Sequence, residues 1–262
     1  MNSLEALLLG LVQGLTEFFP VSSSGHLLML QEILGIHEEG ILFEIVVHVA
    51  TLASVLIVYR RRVGALLAGV LRRESAAFAY VGKLVLATVP SVAAVLFAGA
   101  FFDAQFESAP LAGVSLLLTG SILFTTRRTI LTATTSELSW TAALLIGCAQ
   151  VLAILPGISR SGTTVAAALA LGVAPVAAAE FSFLMSVIAI AGAAVRSLPD
   201  LAAVDPGRVA SLALGGVAAL VAGVVAIWFF LRLLRTQGFY RFAYYTWGAG
   251  ALFLAWLVLR AS

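Results

Sequence analysis

The stretch "VQGLTEFFPVSSSGH", residues 12–26, interrupts a chain that is otherwise apolar almost from end to end. It places Gln13, Glu17, three serines and His26 around the break Phe18-Phe19-Pro20. Gln13 and Glu17 are four apart and share one helix face. Pro20 stops that helix. Ser22, Ser23, Ser24 and Gly25 follow, and a new helix begins near His26. A helix start presents free N–H groups and a partial positive charge, which suits a phosphate. The serine hydroxyls add donors, and Gly25 lets a ligand approach the backbone.

The surrounding composition sets the solvent. Of 262 residues, 61% are hydrophobic and 11% charged, against roughly 45–50% and about 25% in soluble domains. This is the composition of a single multi-span helical membrane domain, 1–262, with no room for a sizeable soluble one. Fourteen arginines and one lysine lie mostly between apolar runs. That pattern points to membrane orientation and away from nucleic acid. The lone Cys148 excludes an intrachain disulfide and reads as a packing residue. Glu5, Gln13 and Glu17 interrupt the first apolar run, so it does not read as a signal peptide.

Six segments have the length and apolarity of spans: 41–59, 79–102, 110–126, 176–196, 208–232 and 240–259. Two regions are instead pairs of short apolar pieces. Residues 4–19 and 21–36 meet at Pro20 and the serines, and 140–155 and 160–173 meet at "PGISRSG". Each reads as a re-entrant hairpin, a form tolerated at membrane depth only where protein or a wet cavity surrounds it.

The two hairpins match. "ALLLGLVQGLTEFFPVSSSGH" begins at Ala6 and "ALLIGCAQVLAILPGISRSGT" at Ala143. Gly10 aligns with Gly147, Gln13 with Gln150, Ser22 with Ser159, Ser24 with Ser161 and Gly25 with Gly162; the prolines fall one residue out of register. This reads as an internal duplication, repeat one about 1–126 and repeat two about 139–259. Three spans per repeat invert the second half, an inverted-topology architecture with its site where broken helices meet. The charges agree. Arg60, Arg61, Arg62, Arg72, Arg73, Arg127, Arg128, Arg232, Arg235 and Arg241 share one side. Glu38, Glu39, Asp103, Glu107, Asp200 and Asp205 lie on the other, with Arg196, Arg208 and Arg260. The first side is expected to be cytoplasmic, with both termini on the outer face.

The second hairpin adds Arg160, flanked by Ser159, Ser161, Gly162, Thr163 and Thr164. If the hairpins meet, two helix starts and an arginine converge on an anion, with Glu17 and His26 as a base and acid beside it. Serine and glycine are also ordinary helix-break residues. An arginine or glutamate at membrane depth is costly, so Arg160 and Glu17 carry the functional reading. Glu44 and Glu180 read either as partners of Arg160 or His26 or as interfacial caps. His48 reads as a packing histidine, and His37 as a loop residue. Tyr244, Tyr245 and Trp247 read as an interfacial belt. No metal-site spacing is present, although a phosphate-bridging Mg²⁺ or Ca²⁺ needs only one or two carboxylates.

The motifs "QGLTEFFPVSSSGH" and "PGISRSGTT" closely resemble those of the bacterial undecaprenyl-diphosphate phosphatases of the bacitracin-resistance type. The resemblance extends over nearly the whole chain, through "FEIVVHVATLASVLIVYRRR" and "AAAEFSFLMSVIAIAGA". It implies a multi-pass enzyme of the bacterial inner membrane that removes the terminal phosphate of a C55 isoprenoid diphosphate. Glu17, Ser23, His26 and Arg160 would be catalytic. Ser159, Ser161 and Thr164 would hold the diphosphate with Arg160. Gln13 stands where the family often has Glu, which shifts proton work towards Glu17 and His26. A divalent cation is the implied cofactor and no organic cofactor is expected. The expected partners are the polyprenyl diphosphate and membrane lipid, with a homodimer left open. The rival class is a lipid-phosphate flippase or anion transporter built on the same inverted-repeat site.

Overall fold

The computed structural model describes residues 1–36, 42–106, 108–196 and 206–261. His37, Glu38, Glu39, Glu107, Asp200 and Asp205 lie outside the described residues, as does the side chain of Arg196.

The regular elements among the described residues are helices, apart from one isolated bridge between Thr135 and Val173. The helices are α1 (Ser3–Phe18), α2 (Ser23–Leu34), α3 (Leu42–Val58), α4 (Arg60–Leu71), α5 (Ser75–Phe106) and α6 (Ala109–Thr132). They continue with α7 (Trp140–Leu152), α8 (Arg160–Ala170), α9 (Pro175–Arg196), α10 (Val209–Arg235) and α11 (Phe242–Ala261). Both expected hairpin pairs are present as α1/α2 and α7/α8. Local chemistry sets their ends. Asn2 and Glu5 form a capping box at the start of α1. Phe19, forced extended by Pro20, ends that helix. Ser22, Ser139 and Ser159 cap α2, α7 and α8. Gly35, in the left-handed region, ends α2.

By length and apolarity, five described helices can cross a membrane: α5, α6, α9, α10 and the segment Phe239–Arg260. A sixth arises if α3 and α4 count as one span, bent by 78°. Here the structure departs from the expected span-then-loop. The chain after Tyr59 forms a helix that keeps Arg60 and Arg61 in the open and packs Leu66 and Gly69 inward. A helix with one arginine-rich face and one apolar face lies along an interface more readily than through a bilayer. Span α5 is also longer than expected, with Pro90 inside and a break at Ala98.

Close helix contacts organise the interior. Gly10 and Gly14 of α1 press on the backbone of α10 at Gly215 and Ala219, where no Cβ would fit. Gly147 of α7 does the same against Ala87 of α5. Small residues let membrane helices approach closely enough for dispersion to hold them. The outside is apolar, as at Leu96 and Phe97, which are 76% and 90% exposed. Cys148, expected in packing, is exposed on α7.

Candidate active site

The ends of the two short-helix pairs meet. A Cβ on Gly25, in the first turn of α2, would lie 2.9 Å from the Gly157 Cα. Gly157 itself has φ +89°, a left-handed conformation that suits glycine, and sits against Ala112 of α6. Ser161 donates to the Phe19 carbonyl at 3.3 Å. Thr119 of α6 fastens the second turn, donating to the Gly157 carbonyl at 2.8 Å and accepting from the Ser159 N–H at 3.0 Å.

The matched residues make matching bonds. Gly25 N–H donates to Ser22 Oγ, and Ser22 and Ser24 hydroxyls pair at 3.3 Å. Gly162 N–H donates to Ser159 Oγ, and Ser159 and Ser161 hydroxyls pair at 3.3 Å. Each set closes the first turn of a helix and aims that helix's positive end at the junction.

Glu17, 7% exposed, sits between the two turns. Its Oε1 accepts from the Arg160 guanidinium of the other pair. Its Oε2 accepts from Ser23 Oγ at 2.6 Å and from Gln13 Nε2 at 2.9 Å. The Arg160 Nη1 is buried without a partner among the described residues, so a donor of the guanidinium is left for a ligand. The Thr163 hydroxyl and Gln13 Oε1 are likewise buried and unpartnered among those residues.

His26 is held at both ring nitrogens. Nδ1 lies 2.8 Å from the Ser22 carbonyl, which can only accept, so Nδ1 carries the proton. In the neutral ring Nε2 then accepts from the Tyr245 hydroxyl, at 2.8 Å, with the two rings parallel within 9°. Ser22 has φ +71°, unusual for a residue with a side chain. His26 supports that turn by giving both its backbone N–H and Nδ1–H to the Ser22 carbonyl.

Other expected residues fall differently. Thr164 turns to the Arg160 carbonyl and to Ser182 of α9, both at 2.7 Å, and so braces the turn from behind. Glu180 meets neither Arg160 nor His26. It accepts from Arg62 Nε at 2.8 Å and from Tyr80 at 3.2 Å, tying α4 and α5 to α9. Glu44 contributes its carbonyl, which accepts from His48 Nδ1 at 2.7 Å. His48 is a correction: its Nε2 faces Glu17 Oε2 at 3.8 Å, so it belongs to the site. Tyr245 is another, a partner of His26 as well as a residue near the span's end. A titratable group inside an apolar span was the signal for His48. Tyr245 had none, since tyrosines at span ends are common.

The donor set does not suit a divalent cation held by protein alone. Among the described residues no three of His, Cys, Asp or Glu converge. The Glu17 carboxylate is already shared by Arg160, Ser23 and Gln13.

An all-helical multi-pass membrane protein in which two helix starts, an arginine and a glutamate meet at a buried junction is the class that this fold and site define. A family model described as "Bacitracin resistance protein BacA" matches residues 6–252. The chain belongs to this family. It is 39% identical over 260 residues to the undecaprenyl-diphosphatase of Syntrophotalea carbinolica, covering 97% of this chain and 99% of that one. It is 40% identical over 271 residues to that of Carboxydothermus hydrogenoformans, covering 100% and 99%. It is 38% identical over 275 residues to that of Alkaliphilus metalliredigens, covering 99% and 100%.

Proposed function

We propose that this chain is an undecaprenyl-diphosphatase. It hydrolyses undecaprenyl diphosphate to undecaprenyl monophosphate and inorganic phosphate, recycling the carrier lipid for peptidoglycan synthesis and conferring bacitracin resistance. The full-length similarity to proteins of that name supports the activity. The observation that carries the chemistry is the Ser23–Glu17–Arg160 contact, a hydroxyl on a carboxylate braced by a guanidinium. A carrier would need the positive charge but not the hydroxyl-carboxylate pair, so the flippase or transporter reading is not favoured.

In this reading Ser23 is the nucleophile and Glu17 its base. Glu17 takes the hydroxyl proton as Ser23 Oγ bonds to the terminal phosphorus and the P–O bond to the lipid monophosphate breaks. Arg160 and the N–H groups opening α2 and α8 stabilise the charge on the transferred phosphoryl group. Water then displaces Ser23 from phosphorus. Glu17 returns the proton to Ser23, and the proton from water leaves with inorganic phosphate. Ser22, Ser24, Gly25, Ser159, Ser161, Gly162 and Thr163 line the anion site. His26 holds the Ser22 turn. With both its ring nitrogens engaged, a phosphohistidine is disfavoured. A phosphate-bridging Mg²⁺ or Ca²⁺ would draw most of its ligands from substrate and water, and no step here passes through it.

The architecture proposed is six spans and two re-entrant hairpins in an inverted repeat, 1–126 and 139–259. The pairing of helices supports it: α1 packs on α10 as α7 packs on α5, and α6 packs on α11. The arginine-rich side is assigned to the cytoplasm of a bacterial inner membrane, with both termini outside. Detergent-solubilised protein should release phosphate from farnesyl diphosphate, and Ser23→Ala should not. Undiminished release by Ser23→Ala would remove Ser23 from its role.

A further inference from the structure

Two lipid-facing grooves mark the surface. One, of about 360 Å³, runs along Val85, Val89, Val92 and Phe97 of α5 and Ile188 of α9, and none of the site residues lines it. The other, about 300 Å³, lies between α2 and α11 and is lined by Met29, Ile33, Ala249, Leu252, Phe253 and Trp256. The residues lining this slot share helix faces with two residues of the site. On α2, His26, Met29 and Ile33 lie on one face, spaced three and four residues apart. On α11, Tyr245, Ala249, Leu252 and Trp256 lie on one face at spacings of four, three and four. The His26–Tyr245 hydrogen bond thus joins the same two faces one turn before Met29 and Ala249, the first residues of the slot. Its outer end is closed by Arg260, which donates to Glu32 Oε2 at 3.0 Å and stands 5.2 Å from the Trp256 ring.

From this continuity we infer that the slot between α2 and α11 binds the first isoprene units of the polyprenyl chain. The inference rests on the phosphatase reading above and adds where the tail is held. A diphosphate at Ser23 and Arg160 has its lipid end free to leave past His26 and Tyr245. From Tyr245 to Trp256 the slot floor runs about 16 Å at 1.5 Å per residue. Phe253, 2% exposed, forms the floor, while Leu252 and Ile33 are exposed at the rim. An apolar floor with an open rim suits a chain that continues into the bilayer. The wall at Tyr245 is the amphipathic element, offering a hydroxyl to His26 and a ring face to the chain.

The test fills the slot. Ala249→Trp in the full-length detergent-solubilised protein should raise KM for farnesyl diphosphate roughly tenfold, the scale of discrimination an apolar pocket supplies. Its kcat should stay within about twofold. KM for dimethylallyl diphosphate, which ends near Tyr245, should not change. Ala93→Trp, in the other groove, should leave both substrates unaffected. Equal shifts for both substrates, no shift for either, or the same effect from Ala93→Trp would overturn the proposal. A photoreactive farnesyl diphosphate analogue with its reactive group at the chain's end gives a readout without turnover or substitution. Label on Met29–Ile33 or Ala249–Trp256 supports the slot, and label confined elsewhere overturns it. Wild-type protein that releases no phosphate from either substrate defeats the phosphatase reading alone, and the photolabel then decides the slot.

Discussion

Arg160, in the first turn of α8, is ion-paired with Glu17, near the end of α1, across 143 residues of chain. Each belongs to only one of the two matched segments. The position matching Glu17 is Ile154 (17 + 137), and the position matching Arg160 is Ser23 (160 − 137). The two matched segments therefore contribute different parts: carboxylate and hydroxyl from the first, guanidinium from the second.

That pair is partly buried, with side-chain exposures of 17% and 6%. Removing one partner strands the other charge, at a cost of about 3–5 kcal/mol. Arg160→Ala should abolish phosphate release and lower the thermal unfolding midpoint in detergent. The double variant Arg160→Ala with Glu17→Gln should recover most of that midpoint and none of the activity. A double variant as unstable as Arg160→Ala would show that the pair does not act through its charge.

Ser23 shares a 2.6 Å hydrogen bond with Glu17, and among the described residues no such carboxylate partner is seen for Ser22 or Ser24. Ser23→Ala should lower kcat by a factor on the order of 10³ or more, with the midpoint almost unchanged. Phosphate from a labelled diphosphate, trapped by acid quench, should map to the peptide containing Ser23. Label on His26 instead would reassign the nucleophile.

His48 faces Glu17 Oε2 at 3.8 Å and is 31% exposed at its side chain. Its tautomer is set by the Glu44 carbonyl, so Nε2 is the nitrogen turned to the carboxylate. His48→Ala should reduce kcat/KM roughly tenfold, about 1.4 kcal/mol of transition-state stabilisation. Steady-state rates with unchanged folding check this. Rates equal to wild type would return His48 to packing.

Tyr245→Phe keeps the ring beside His26 and removes the hydroxyl that His26 Nε2 accepts from. The loss should cost about 0.5–1.5 kcal/mol. An unfolding midpoint in detergent identical to wild type would mean that the bond does not hold His26.

Gly157 combines φ +89° with contact against Ala112, so a methyl group there is both strained and crowded. Gly157→Ala should destabilise by about 1–3 kcal/mol. The same substitution at Gly64, where nothing lies within 4 Å, should be neutral or stabilising. Unfolding midpoints compare the two directly.

Much of this protein was legible in its sequence because the governing rules are local or compositional. Apolar run lengths located four of the five long helices to within a few residues, and Pro20 with the capping serines located the paired short helices. The 137-residue match located the two turns that meet, since capping serines and glycines recur where a helix restarts after a break. The sequence could not say that the run after Tyr59 turns by 78° into α4, because that angle depends on what α5 and α9 offer Leu66 and Arg62.

Partners across long separations were decided by the tertiary structure alone. Spacing on α1 put Gln13 beside Glu17, but it could not choose Glu17 over Glu180 as the ionic partner of Arg160, nor assign Arg62 to Glu180. It could not bring Tyr245 to His26 across 219 residues, or turn His48 inward. These pairings follow from helix packing, set by glycines such as Gly10, Gly25 and Gly147 that bring backbones into contact. A buried charge accepts whichever opposite charge that packing delivers, and no one-dimensional period encodes the delivery.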